Sequence, residues 1–331
     1  LMKISAVANP ATENNLRHLA QIGVEDQVFY DMAGMPTELE GLRAAKEMAE
    51  RNGLRLSVVE GGPKIDRIVL GKDGRDAQIE QYKRSLDHMG KLGVRVLCYN
   101  FMPQLTDDAA VFRTSFATSE RGGALTSSFD LERFDNDRLT EDGTSTDEQV
   151  WDYLDYFLKR IIPAAEEAGV LLAMHPDDPP LSPMWNLARI MRSAENYERL
   201  FAMHPSPVNG MTFCQGCFIE MGEDINAAIR RFAPRIHFVH FRDVLGSQTN
   251  FRETFPDNGP TDMIGMLNSY HEIGYKGFIR VDHVPQLATE GDDARGYGLV
   301  GHTFAIGYLK GLMEPIFGRP AADRDRNASN T

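Results

Sequence analysis

Four residues in the second half of the chain could hold a metal ion together: His175, Cys214, His240 and Asp282. Each ends a short strand-like run, LLAM before His175, NGMTF before Cys214, IHFV before His240 and FIRV before Asp282. Two imidazoles, a thiolate and a carboxylate suit a borderline divalent ion such as Mn²⁺, Fe²⁺, Co²⁺ or Zn²⁺. Ca²⁺ or Mg²⁺ would want oxygen ligands throughout. Each residue alone has a plainer reading. A strand-end histidine is commonly hydrogen-bonded in a core or at the surface, and a free cysteine is commonly a small buried apolar residue. Core packing alone would not place such residues at the ends of four successive strands.

Two choices within this set follow from strand geometry. Side chains alternate, so His237 lies on the opposite face from His240 and is expected to pack against helices, while Arg242 shares the face of His240. Cys214 ends its strand, whereas Cys217 lies beyond the turn Gln215-Gly216. The spacing Cys214-x-x-Cys217 is like half a zinc ribbon or a redox pair, but a ribbon needs a second pair and Cys98 stands alone. Around the metal, His283 and Tyr297 are candidate acid–base groups. Arg113, Arg242 and Arg280 could hold a carboxylate by bidentate hydrogen bonds, or could equally form surface ion pairs. In His175-Pro176-Asp177-Asp178-Pro179-Pro180 either aspartate could support a metal-bound histidine, or the segment could be a helix-entry turn.

Positioning these residues requires a regular scaffold, and the chain supplies one. Strands are expected at 2–8, 26–30, 54–60, 94–100, 169–175, 207–214, 235–243 and 277–283. Helices are expected at 36–52, 75–93, 147–168, 186–203, 222–233, 260–273 and 297–314. Strands alternating with helices give a parallel sheet, and eight strands close a (β/α)₈ TIM barrel whose strand ends converge on one site. A doubly wound open sheet is the rival, but no early strand is followed by the G-x-G-x-x-G turn that such sheets use. One catalytic domain over residues 1–317 is therefore expected. Its polar segment 103–147 reads as a long βα loop able to act as a lid, and 318–331 reads as a disordered tail.

Asp and Glu outnumber Lys and Arg by 48 to 35 in the 331 residues, a net charge of −13. That argues against nucleic-acid or anionic-membrane partners, which need a basic surface. It leaves room for a small anionic substrate held by local arginines and a metal. No apolar run approaches the roughly 20 residues needed to span a bilayer. Three cysteines make no disulfide framework, and the N-terminal LMKISAVANP has no signal-peptide core. A cytoplasmic protein, assembled as a homo-oligomer, is the expectation.

At these motifs the sequence resembles the mannonate dehydratase family, a group of xylose-isomerase-like barrels. The matching words are RDAQIEQYKRSL, VLCYNFMP (96–103), MHPDDPP (174–180), NGMTFCQG (209–216), IHFVHFRD (236–243), RVDH (280–283) and GYGLVGH (296–302). The resemblance implies a cytosolic, Mn²⁺- or Fe²⁺-dependent dehydratase that converts D-mannonate, or a closely related sugar acid, to 2-keto-3-deoxy-D-gluconate and water. Word by word, the family's metal ligands fall on His175, Cys214, His240 and Asp282, and its acid–base pair on His283 and Tyr297. Asn100, Arg113, Arg242 and Arg280 are expected to bind substrate. The chain departs from the family around the substrate. It has Phe251-Arg252-Glu253 for F-H-E, Arg242-Asp243 for R-N, Arg280-Val281-Asp282-His283-Val284 for R-P-D-H-G, and Gly301-His302 where a turn ends in G-R. A metal-dependent sugar isomerase or epimerase on the same barrel is the main alternative, and a non-catalytic sugar-binding protein the other.

Overall fold

A computed structural model describes residues 2–31, 34–103, 112–291 and 296–318. Eight parallel strands form a closed barrel: β1 (Lys3–Val7), β2 (Asp26–Tyr30), β3 (Arg55–Glu60), β4 (Val96–Tyr99), β5 (Leu171–Met174), β6 (Asn209–Cys214), β7 (Ile236–Phe241) and β8 (Phe278–Val281). Each pairs with its sequence neighbour, and β8 closes the ring on β1 with Lys3 opposite Phe278 and Ser5 opposite Arg280. These strands are buried on both faces, which is why most read as near-continuous apolar runs. Val7, Val28, Val58, Val96, Cys98, Ala173 and Phe238 fill the barrel interior. A larger apolar shell joins the outer strand faces to the helices. Truncating Phe238, which is fully buried, would cost about 3–5 kcal/mol.

The helices follow the expected alternation where their end signals are strong. Asp147–Ala168 is opened by a Thr146–Gln149 capping box and closed by Gly169 in the left-handed conformation. Arg75–Leu92 and Leu299–Phe317 also form. The helix expected at 186–203 is confined to Ala194–Met203, because Trp185 and Asn186 take positive φ (49° and 63°) and the chain runs irregularly to the Ser193 cap. A helix at Glu13–Gln21, capped by Thr12, joins β1 to β2 and was not read from the sequence.

Residues 112–147 of the expected loop are more ordered than a loop. Ser115–Ser119 and Leu125–Asp130 pair antiparallel, and Asn250–Glu253 from beyond β7 joins them, with Val244–Ser247 outermost. This accessory four-stranded sheet sits on Phe112, Phe129, Met184, Trp185, Val244 and Phe251. Residues 104–111 of the expected lid, and 319–331 of the expected tail, lie outside the described residues. Among the described residues no helix is long and apolar enough to cross a membrane.

Candidate metal centre and its surroundings

The C-terminal ends of β5 to β8 bring His175, Cys214, His240 and Asp282 together, one ligand atom from each lying within 4.8 Å of the others. Nε2 of His175 is 3.2 Å from Nδ1 of His240, which is 3.6 Å from Oδ2 of Asp282; that oxygen is 4.0 Å from Sγ of Cys214. Four ligands at 2.0–2.3 Å around one tetrahedral ion would stand about 3.3–3.8 Å apart, close to these spacings. The atoms facing away are held by the protein. His175 Nδ1 is 2.7 Å from the Pro176 carbonyl, and Asp282 Oδ1 accepts from Arg280 at 2.9 Å. His240 Nε2 lies 3.3 Å from Glu60. Such outer contacts fix which nitrogen or oxygen is presented to an ion.

The electrostatics distinguish the two cysteines. Burial pushes the Cys214 thiol up, but the hydrogen bond from Cys217 and the charge of Arg242 outweigh it and hold the thiol well below its ordinary value. Burial and the Cys214 hydrogen bond push Cys217 well above. These surroundings favour the thiolate on Cys214 and the thiol on Cys217. Burial likewise opposes ionisation of Asp282, yet His283, Arg280 and His240 hold its carboxyl well below the usual range. A thiolate and a carboxylate beside two imidazoles fit a borderline divalent ion. Among the described residues two further clusters of potential ligands, Glu60–Cys98–His240 and Asp178–Cys217–Glu220, are each entered by a guanidinium, Arg280 in the first and Arg242 in the second.

The three arginines are neither surface ion pairs nor open clamps. Arg242 donates to Glu253 (2.8 Å), Asp178 (2.9 Å) and Glu220 (2.6 Å) and stands 3.6 Å from the sulfurs of both Cys214 and Cys217. Arg113 grips both oxygens of Asp178 (2.6 and 2.9 Å) and Oε1 of Glu253 (2.8 Å). Arg280 grips both oxygens of Glu60 (2.6 and 2.8 Å). All three side chains are at most 1% exposed. Their donors meet protein carboxylates, so binding substrate directly would require exchanging those partners. Asn100 is half-buried at the mouth, its Oδ1 3.4 Å from the Met102 amide.

Neither aspartate of the 175–180 turn hydrogen-bonds His175. Asp178 binds Arg113 and Arg242, and Asp177 accepts from the Met191 amide at 2.8 Å. The turn is no helix entry either, since the next helix starts at Ala194. His237, expected to pack against helices, instead lies over Gly210, whose added Cβ would fall 2.3 Å from its ring on the inward face shared with Thr212 and Cys214. Alternation fails here because the pairing skips His237 between Ile236 and Phe238; its Nδ1 is 2.8 Å from the Leu172 carbonyl.

His283 and Tyr297 stand beside the four ligands. Their rings meet edge-on, centroids 5.3 Å apart at 85°. His283 Nδ1 lies 3.1 Å from Glu253 Oε1. Tyr297 is nearly parallel to Tyr30 (5.4 Å, 14°) and to His302 (6.0 Å, 12°). Burial, with Tyr30 and Asp282 beside it, pushes the Tyr297 phenol well above its ordinary value, so it keeps its proton at neutral pH. Several residues of this wall were missed in the sequence. Tyr30 and Glu60 end β2 and β3 and answer to the same strand-end rule as the ligands. Glu220 and Glu253 carried no such signal.

Comparison with known proteins agrees with this geometry. The family model described as D-mannonate dehydratase (UxuA) matches residues 9–146 and 131–319. Mannonate dehydratase 2 of Halalkalibacterium halodurans is 32% identical, over 93% of this chain and 97% of its own. The crystal structure of mannonate dehydratase from Streptococcus suis serotype 2 superposes with a TM-score of 0.85 at 31% identity, covering 95% of this chain and 93% of that one. A xylose isomerase domain protein from Planctomyces limnophilus, at 14% identity and a TM-score of 0.60 over 95% and 98% of the two chains, shares the fold. The chain is a xylose-isomerase-like TIM barrel and belongs to the mannonate dehydratase family.

Proposed function

We propose that the chain dehydrates D-mannonate, or a closely related sugar acid, to 2-keto-3-deoxy-D-gluconate and water. The observation that carries this reading is the His283–Tyr297 pair set beside a four-residue ligand group in a chain of this family. His175, Cys214, His240 and Asp282 would hold a divalent ion, Mn²⁺ or Fe²⁺. When bound, the ion supplies Lewis acidity toward the substrate carboxylate, easing loss of the weakly acidic neighbouring C2 proton.

The chain's own groups supply the proton transfers. With Nδ1 turned to Glu253, His283 has Nε2 left to take the C2 proton. Tyr297 holds a proton that it can give to the departing 3-hydroxyl. Asn100 orients the substrate at the mouth, while Arg113, Arg242 and Arg280 shape the field from behind through their carboxylate partners. We further read residues 1–317 as one catalytic domain acting in a cytoplasmic homo-oligomer; three free cysteines fit a reducing compartment.

Incubation of the Mn²⁺-loaded chain with D-mannonate should release a 2-keto-3-deoxy acid, and His283→Ala should keep its metal while losing turnover. Exchange of the C2 proton with solvent and no keto acid would instead mark an isomerase or epimerase. No reaction with a panel of hexonates and pentonates would refute the dehydratase reading.

A further inference from the structure

Glu253 comes from the accessory sheet, not from the barrel, yet it reaches the chemistry. Its strand Asn250–Glu253 is pinned by the pairing of Phe251 with Phe129 and by the apolar cluster beneath. Alternation turns Phe251 and Glu253 inward and Arg252 outward, where Arg252 meets Glu120 at 3.7 Å. A slip of one residue would put a cation where the carboxylate stands. The Glu253 side chain is 1% exposed, and Arg113 and Arg242 hold it from two directions at 2.8 Å. Its Oε1 faces Nδ1 of His283 at 3.1 Å.

We infer that Glu253 is a positioning residue for His283. It accepts the Nδ1–H bond, selects the tautomer whose Nε2 carries the lone pair, and holds the ring edge-on to Tyr297. A neutral imidazole has one N–H, so an anion fixed at Nδ1 decides where that hydrogen sits. Asp282 does not fill this role: its Oδ1 is 3.8 Å from His283 Nε2 and already accepts from Arg280. The accessory sheet and the two buried arginines therefore act as the mount for an acid–base histidine. This inference rests on the acid–base reading of His283.

Glu253→Met removes the acceptor at similar volume. On the Mn²⁺-loaded chain it should lower kcat by roughly 10- to 100-fold, part of what a positioned general base supplies. KM and metal content should stay within about twofold of the parent, with Glu253→Gln, which keeps an acceptor oxygen, recovering part of kcat. In chain labelled with ¹⁵N-histidine and loaded with diamagnetic Zn²⁺, His283 should be protonated at Nδ1, and Glu253→Met should shift protons to Nε2. Parental kcat, or an unchanged tautomer in Glu253→Met, overturns the inference. Should Glu253→Met lose metal, the charge-balanced pair Arg113→Met/Glu253→Met is compared with Arg113→Met alone by the same readouts. Full turnover in His283→Ala would instead overturn the acid–base reading, whatever Glu253 variants do.

Discussion

Replacing Arg242 with Met is expected to reveal how much of this site stands on one guanidinium. Arg242 donates to Asp178, Glu220 and Glu253 from a fully buried position. Burial and the nearby Asp178 push the Glu220 carboxyl well above its ordinary range, which leaves Asp178 and Glu253 as the groups most dependent on a guanidinium for their charge. Without Arg242, Arg113 alone would face two buried carboxylates, Asp178 and Glu253. Removing one partner from such a group costs about 3–5 kcal/mol. A chain of 331 residues melts with an entropy near 0.7 kcal/mol/K, so each kcal/mol moves Tm by about 1.4 °C and the expected drop is about 4–7 °C. Differential scanning calorimetry on chelator-treated parent and variant at neutral pH reads this directly. Metal affinity gives a second reading. Arg242 lies 3.6 Å from Cys214 Sγ and helps keep it a thiolate, so affinity should fall roughly 10- to 100-fold. Arg242→Lys should recover only part of either loss, because one ammonium cannot span three carboxyl groups. A Tm within about 1 °C of the parent, together with unchanged metal affinity, would refute the reasoning.

Cys214→Ala should strip the metal, measured as equivalents per chain by elemental analysis; full occupancy would remove Cys214 from the ligand set. Gly216→Ala should destabilise the chain by about 1–3 kcal/mol. Its new Cβ would fall 2.6 Å from Nε and 2.8 Å from Cδ of Arg242, which its carboxylates hold in place, so a parental melting temperature would contradict the packing. Burial lowers the His302 imidazole from 6.5 to about 4. The unfolded chain therefore binds a proton that the folded chain refuses: this stability is whole above pH 6.5 and is lost as pH falls through 4, by about 3 kcal/mol. His302→Phe should remove that part of the acid sensitivity, so the parent-minus-variant stability from urea titrations should differ between pH 7.5 and pH 4; equal differences at both would refute the assignment.

The barrel and the clustering of the four candidate ligands were legible because both depend on a repeating local pattern. The strand-end rule found His175, Cys214, His240 and Asp282 without knowledge of the fold's details, and applied one step earlier it would also have reached Tyr30 and Glu60. What escaped was non-local. The short polar strands SFATS and LTSSFD read as loop, and they become sheet only by pairing with Asn250–Glu253 from beyond β7. The short, polar helix Glu13–Gln21 buries only Leu16 and Leu19, too few apolar positions to stand out in sequence, and went unread. Arg113, Arg242 and Arg280 do gather near the candidate ligands, but one-dimensional sequence does not show whether a guanidinium meets solvent, substrate or a buried carboxylate. Here Asp178, Glu253 and Glu60, remote in sequence, decide it.

The stacking of Tyr30 on Tyr297 has a consequence for how the enzyme assembles. All four candidate ligands lie on β5 to β8, so their meeting depends on one half of the ring. The catalytic wall instead joins the two ends of the polypeptide, with Tyr30 on Tyr297 and Glu60 on Arg280, across the seam where β8 meets β1. Ion capture and turnover should therefore mature at different moments of refolding, the first with the late half of the chain and the second only when the ring shuts. Following both signals in one refolding experiment would time the closure of the barrel.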